Sequence, residues 1–265
     1  MNYTKYFGFT ALPFHKTNPH VYINAQVEEF EDKFRRMLEI PGIAMMVGEP
    51  SSGKTTMLKH VMKKVKRSKV EYYYLAETDF SRNEFYLVLA DHFGVEASNK
   101  RSIVWRNLKK HIEHMVQTQG ITPVIIVDEA HNLPDNFFRD LPSFLNFKMD
   151  SSDPLVMWLI GTPELSRKLQ QPKYHALNSR IRIWQTISGF TQFEEFKKFI
   201  EDGFKQVGAK SKVLSESGMS TLFEASHGKP RYISNVIVNA MQKAAQQEFT
   251  HIPDDILEAA IHECR

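Results

Sequence analysis

This 265-residue sequence predicts an α/β fold: a parallel sheet covered by helices on both faces, followed by a small all-helical domain. Three observations carry that expectation. Short apolar runs alternate with helically spaced segments from Ile43 to Ile187. The first run, Ile43-Ala44-Met45-Met46-Val47, turns through small residues into a helix beginning near Thr56. From Thr191 onward the strand signal disappears.

Taken in order, the elements are these. The strand ending at Val47 is followed by Gly48-Glu49-Pro50-Ser51-Ser52-Gly53-Lys54-Thr55, a full G-x-x-x-x-G-K-[ST] match. Thr56 to Met62 continues with helical spacing. A strand turning through small residues into a helix start aims several backbone N–H groups at one spot, and the helix dipole adds positive potential there. Polyphosphate suits that spot, so Gly48 to Thr56 is the expected nucleotide cradle. Lys54 reaches the β- and γ-phosphates, and the Thr55 hydroxyl ligates Mg²⁺.

Val70-Glu71-Tyr72-Tyr73-Tyr74-Leu75 reads as the second strand, with helical patterns over Arg82–Phe93 and Ser102–Val116. Val124-Ile125-Ile126-Val127 is four β-branched residues in a row, the signature of a strand buried on both faces. Two adjacent carboxylates, Asp128 and Glu129, end it. They are costly in a core unless a cation or a reaction needs them. In a P-loop enzyme Asp128 holds the Mg²⁺ hydration shell and Glu129 orients and deprotonates the attacking water. The pairing predicts an Mg²⁺-dependent ATPase. A helix around Phe137–Phe147, a buried strand over Leu155–Ile160 and a last strand over Arg182–Ile187 complete the core, expected over residues 43–190. Helices through Phe193–Phe204, Leu222–Ala225, Tyr232–Ala245 and Asp254–His262, the last started by Pro253, make the domain over residues 191–265.

Composition is that of a soluble globular protein: 42% hydrophobic, 25% charged, net charge +3. No apolar run reaches a membrane span, no leader pattern opens the chain, and the single cysteine, Cys264, allows no intrachain disulfide. A cytoplasmic protein is expected. Seven Lys or Arg residues and no acid lie between Ser51 and Val70, read as a solvated helix end whose cations complement the dipole. The sequence Asp128-Glu129-Ala130-His131 invites a helicase reading, but a second motor domain does not fit in the remaining length. His111 and His114 sit three apart without a usable third metal ligand.

A P-loop sheet followed by a small helical lid resembles the AAA+ ATPases. At matching positions Thr162 corresponds to the polar sensor-1 residue, and Gly228-Lys229-Pro230-Arg231 to the G-x-P-R sensor-2 pattern, which implies that Arg231 contacts nucleotide. Asn178-Ser179-Arg180-Ile181-Arg182 lies where the family places its arginine finger; Arg180 is the choice, with Arg182 the other candidate. Thr at sensor 1 is a departure, because other members carry the longer Gln or Asn. Tyr6-Phe7-Gly8-Phe9 and Leu12-Pro13-Phe14 resemble the aromatic N-terminal segment of the ExeA/TnsC/IstB/MuB-like branch, which implies that residues 1–42 pack on the nucleotide site.

That branch implies two functions. One is a transposition regulator that oligomerises on duplex DNA without sequence preference, as a ring or a filament, and recruits or activates a transposase. The other is an ExeA-like secretion or envelope assembly ATPase, which normally carries a membrane span and a wall-binding domain after the ATPase. The sequence runs to Arg265 with neither, so the first is the expectation. DNA contacts are expected from Arg82 and from the Ala97–Ser102 loop through Lys100 and Arg101, where small polar residues interleave with cations.

Overall fold

Five parallel strands form one sheet in the order β2-β3-β4-β1-β5. They are β1 (Gly42–Val47), β2 (Val70–Leu75), β3 (Thr122–Val127), β4 (Val156–Gly161) and β5 (Ile181–Thr186). The computed structural model describes residues 3–15, 19–76 and 81–264, apart from the side chains of Arg67 and Arg82. Burial follows strand position. The central β1 and β4 are buried at every residue and β3 at five of six, whereas the edge strands β2 and β5 mix buried and exposed positions. Continuous apolar runs are what a strand covered on both faces requires.

The chain forms two compact units. One comprises Glu28–Glu49 and Val61–Thr186 and contains the whole sheet. On one face Ile125, Val127, Met157 and Leu159 join a core with residues of α4 (Arg82–His92), α5 (Arg101–His114) and α6 (Asp135–Phe144). On the other, Trp158 meets two rings of α2 (Ala25–Glu39): Phe34 stacked at 5.6 Å and Phe30 edge-on at 5.3 Å. Helix α4 starts with a capping box in which Ser81 and Glu84 satisfy each other's backbone N–H groups. The short helices α7 (Pro163–Leu169) and α8 (His175–Asn178) fill the connection between β4 and β5.

Two helix ends differ from the sequence pattern. Helix α5 stops at His114 and widens into a π turn over Met115–Gln119, closed by Gly120 in a left-handed conformation. Helix α6 stops at Phe144, and Phe147 instead makes an isolated antiparallel bridge with Ser152. The three residues at that turn, Lys148, Met149 and Asp150, all have left-handed φ values of 47°, 56° and 65°. Hydrophobic spacing read through Phe147 could not register a turn made by backbone conformation.

The other unit comprises Met1–Val27, Pro50–His60 and Ile187–Arg265. Its core is built from α9 (Phe193–Gln206), α10 (Glu216–Ser226), α11 (Pro230–Gln246) and α12 (Asp254–Glu263), with Phe196, Leu222, Val236, Ile237 and Leu257 at its centre. The N-terminal aromatics pack into it, Phe14 at 4.9 Å from Phe199 and Phe9 at 6.0 Å from Phe204, beyond the short α1 (Tyr3–Tyr6). Asp254 accepts from the Ser215 and Ser217 hydroxyls at 2.6 and 2.5 Å, which pins the start of α12 to that of α10.

Candidate nucleotide site

In a parallel sheet, the residues just past the strand ends share one edge. Gly48 follows β1, Asp128 follows β3 and Thr162 follows β4, so the sheet unit gathers three of the expected site residues at its carboxyl edge. The register supports this: Val47 pairs with Gly161, Val127 pairs with Leu159, and the Gly48 N–H donates to Gly161 O at 3.2 Å. Open α/β sheets bind ligands at this edge.

Asp128 is 6% exposed, and both its oxygens are engaged. Oδ1 accepts from the Glu129 N–H at 2.9 Å and Oδ2 from the Tyr74 hydroxyl at 2.6 Å. Burial, then the hydrogen bond to Asp128, pushes the Tyr74 phenol well above its ordinary range, so the tyrosine is the donor. Glu129 stands in a left-handed conformation, φ 49° and ψ 34°, a local cost that recurs at functional sites. This turn leaves its carboxylate half exposed, with Oε2 3.5 Å from His131 Nδ1. His131 is confined in turn, because a Cβ added at Gly161 would lie 3.2 Å from the same nitrogen. Thr162 Oγ1 is buried and has no hydrogen-bond partner among the described residues. A buried hydroxyl without a partner is an unmet polar group, and a phosphate oxygen or water would satisfy it.

The other unit holds the stretch from Pro50, with Glu49 and Pro50 both exposed. Ser51 and Gly53 take positive φ values of 68° and 99°, which turn the chain into α3 (Lys54–Lys64). Ser52 Oγ is buried without a hydrogen-bond partner among the described residues, and Lys54 is 7% exposed. Thr55 and Thr56 follow in the first turn of α3, which carries no acid. These features fit a polyphosphate: backbone donors at a helix start, an unmet hydroxyl and a cation. In the same unit Pro230, first residue of α11, lies beside the loop, 3.9 Å from a Cβ added at Gly53. The exposed Arg231 follows in the first turn of α11. Gly228 explains the glycine of that pattern: its φ is 66°, and a Cβ there would meet Phe190 O at 2.0 Å.

Arg180 and Arg182 lie at the opposite, amino edge of the sheet. Ile181 pairs with Ile43 at the start of β1, whereas Thr186 pairs with Val47 at its end. A strand of this length puts about 17 Å between Arg180 and the edge of its own chain that carries Asp128. Arg180 grips Asp150 through both terminal nitrogens, and Arg182 pairs with Asp153 at 2.6 Å, around a cleft of about 540 Å³ that Gly42 also lines.

The three expected DNA contacts fare differently. Lys100 is exposed at the start of α5. Arg101 is engaged within its own unit, in an ion pair with Asp140 and 4.9 Å above the Trp105 ring. The side chain of Arg82 lies outside the described residues. Sequence reasoning missed Tyr74, Asp150 and Asp153, and it met His131 only as part of a helicase motif. A β2 tyrosine has no motif, and the acidic partners sit in a turn that no periodicity marks.

Residues 38–169 match the family described as AAA domain. That match spans just under half of the chain, and the sheet order with the helical C-terminal region gives the fold class: that of the P-loop AAA+ ATPases. Among curated proteins, General secretion pathway protein A of Aeromonas hydrophila is 22% identical over 244 residues, covering 90% of this chain but 44% of its own length. Among solved structures, Cdc6p of Pyrobaculum aerophilum superposes with a TM-score of 0.68 at 16% identity, covering 98% of this chain and 71% of that one. The Aeropyrum pernix ORC1 protein in complex with DNA gives 0.67 at 14% identity, covering 96% and 66%. The RuvB Holliday junction branch migration motor of Thermotoga maritima gives 0.60 at 16%, covering 91% and 70%. No helix among the described residues is long and apolar enough to cross a membrane.

Proposed function

We propose that the chain is an Mg²⁺-dependent ATPase whose sites are completed between copies of itself. The observation that carries this is the division of the expected machinery between the two edges of one sheet. Asp128 and Thr162 stand at the carboxyl edge and Arg180 at the amino edge, so an arginine acting on phosphate serves a neighbour's site. Residues Gly48 to Thr56 hold the triphosphate, with Lys54 as its cation. Thr55 and Asp128 hold Mg²⁺, which supplies charge neutralisation at the β- and γ-phosphates. Glu129 orients the attacking water and takes its proton; Thr162 supplies a hydrogen bond to that water or to the γ-phosphate; Arg231 contacts nucleotide from the helical domain. A homo-oligomer, ring or filament, follows from an arginine supplied in trans.

For the macromolecular partner, the reading is sequence-independent duplex DNA, gripped by repeated weak contacts such as Lys100, with a transposase recruited or activated by the assembly. Support comes from the exposed Lys100 and from the fold shared with a protein solved in complex with DNA; the aromatic segment Tyr6–Phe14 suits both readings. The second reading is an ExeA-like secretion or envelope assembly ATPase, favoured by the 90% coverage of this chain by General secretion pathway protein A. Electron micrographs and duplex binding, each with and without ATP, decide between them. ATP-dependent assemblies on DNA support the first reading; no duplex affinity at low salt leaves the second.

A further inference from the structure

The hydrogen bond between Tyr74 and Asp128 belongs to no motif in the sequence, yet it joins the edge strand to the carboxylate assigned to Mg²⁺. Tyr74 pairs with Ile126 across the β2–β3 ladder, two residues before Asp128. Its ring therefore runs forward along the sheet to bring the hydroxyl to Oδ2. The neighbouring strand positions have other roles: Tyr73 is 5% exposed and stacked on Phe93, and Leu75 is 2% exposed in the core. Tyr74 is 38% exposed, the most open of the three, and its hydroxyl donates to the carboxylate.

We propose that Tyr74 is a positioning residue for Mg²⁺ at the nucleotide site, fixing the rotation of the Asp128 carboxylate. This rests on the reading of Asp128 as a metal ligand. The terminal torsion of an aspartate is broad, and a single donor on one oxygen leaves the group free to swing. Here the Glu129 N–H fixes Oδ1 and the phenol fixes Oδ2, which together set the plane. The plane of the carboxylate is then set before any cation arrives. A hydroxyl-to-carboxylate bond of this length is among the stronger hydrogen bonds, and a phenol has only two side-chain torsions to order. Outer-shell partners of this kind tune metal affinity by about 10–100-fold.

The test is Tyr74→Phe, which keeps the ring and removes one oxygen. Binding of a fluorescent ADP analogue is titrated with Mg²⁺ at fixed nucleotide, and repeated in EDTA. The half-saturating Mg²⁺ concentration should rise about tenfold, with nucleotide affinity in EDTA unchanged. Turnover should fall more at limiting than at saturating Mg²⁺, a pattern that a general loss of folding does not produce. An Asp128→Asn variant runs in parallel. If Asp128→Asn shifts the Mg²⁺ dependence and Tyr74→Phe leaves it where it was, the positioning role is overturned and the site assignment survives. If neither variant shifts it, the assignment of Asp128 to the metal falls, and this inference with it.

Discussion

Arg180 holds Asp150 in a two-point ion pair, Nη1 to Oδ1 at 2.5 Å and Nη2 to Oδ2 at 2.7 Å. The guanidinium keeps the Asp150 carboxyl below its ordinary range. Asp150 ends the run of three left-handed residues whose middle member, Met149, is 96% exposed. The arginine proposed for a neighbour's phosphate thus pairs, within its own chain, with a turn that reaches into solvent.

Arg180→Ala is expected to act in trans. Loss of an arginine finger lowers turnover by about 10³–10⁵-fold. Mixing Arg180→Ala with Lys54→Ala should restore part of the activity, since one supplies an intact P-loop and the other an intact finger. Phosphate release from each variant and from the mixture is the measurement. Complementation by Arg182→Ala instead would move the role to Arg182, whose partner is Asp153.

Lys54→Ala should abolish nucleotide binding, whereas Glu129→Gln should bind normally and lose turnover by at least about a hundredfold. The amide keeps the shape of Glu129 and leaves Asp128 with its donors. Equilibrium binding and phosphate release separate the two variants. Wild-type hydrolysis by Glu129→Gln would remove it from the catalytic role.

The motif residues of the candidate site were legible before the fold. Gly48–Thr55 and Asp128-Glu129 match patterns that phosphate and metal chemistry impose on residue type and spacing. The parallel sheet followed from apolar runs too long for one-sided strands, as at Val124–Val127. What the sequence did not disclose depends on pairing across distance. The bond from Tyr74 to Asp128 needs the β2–β3 register, and the pairing of Arg180 with Asp150 needs a turn set by positive φ values. Arg101 looked like an open phosphate ligand until the placement of Asp140 and Trp105 showed its cation engaged.

Acid should loosen the sheet unit through Asp135. The Lys173 ammonium, with Lys168 beside it, holds this carboxyl far below the ordinary range. A depressed folded pKa contributes stability above the unfolded value near 4, and that stability is lost as pH falls through the folded one. Because the group is partly exposed, its share is about 1 kcal/mol or less. The wild-type melting temperature should exceed that of Asp135→Asn at pH 7, with the gap starting to narrow below about pH 4 and closing only as pH falls through the depressed folded value. A gap that does not narrow at all between about pH 4 and about pH 2 would mean that the substitution acts through packing.

The DNA reading makes its sharpest claim at Lys100, which is exposed among the described members of the expected DNA-binding residues. Lys100→Ala should weaken ATP-dependent duplex binding uniformly across sequences and lower the salt slope by about one unit for each phosphate that the lysine neutralises. Basal hydrolysis should be kept, since Lys100 sits at the start of α5, away from the P-loop and Asp128 in sequence. Arg101→Ala is a poorer probe, because it also removes the ion pair to Asp140 and the cation over the Trp105 ring. It should lower the melting temperature as well as any affinity. Neutralising Lys59 and Lys63 in α3 provides the comparison, with a smaller effect expected if that helix end is only solvated. Equal weakening from the two sets would place the DNA path along α3, and an unchanged salt slope in Lys100→Ala would take the α5 loop out of the interface.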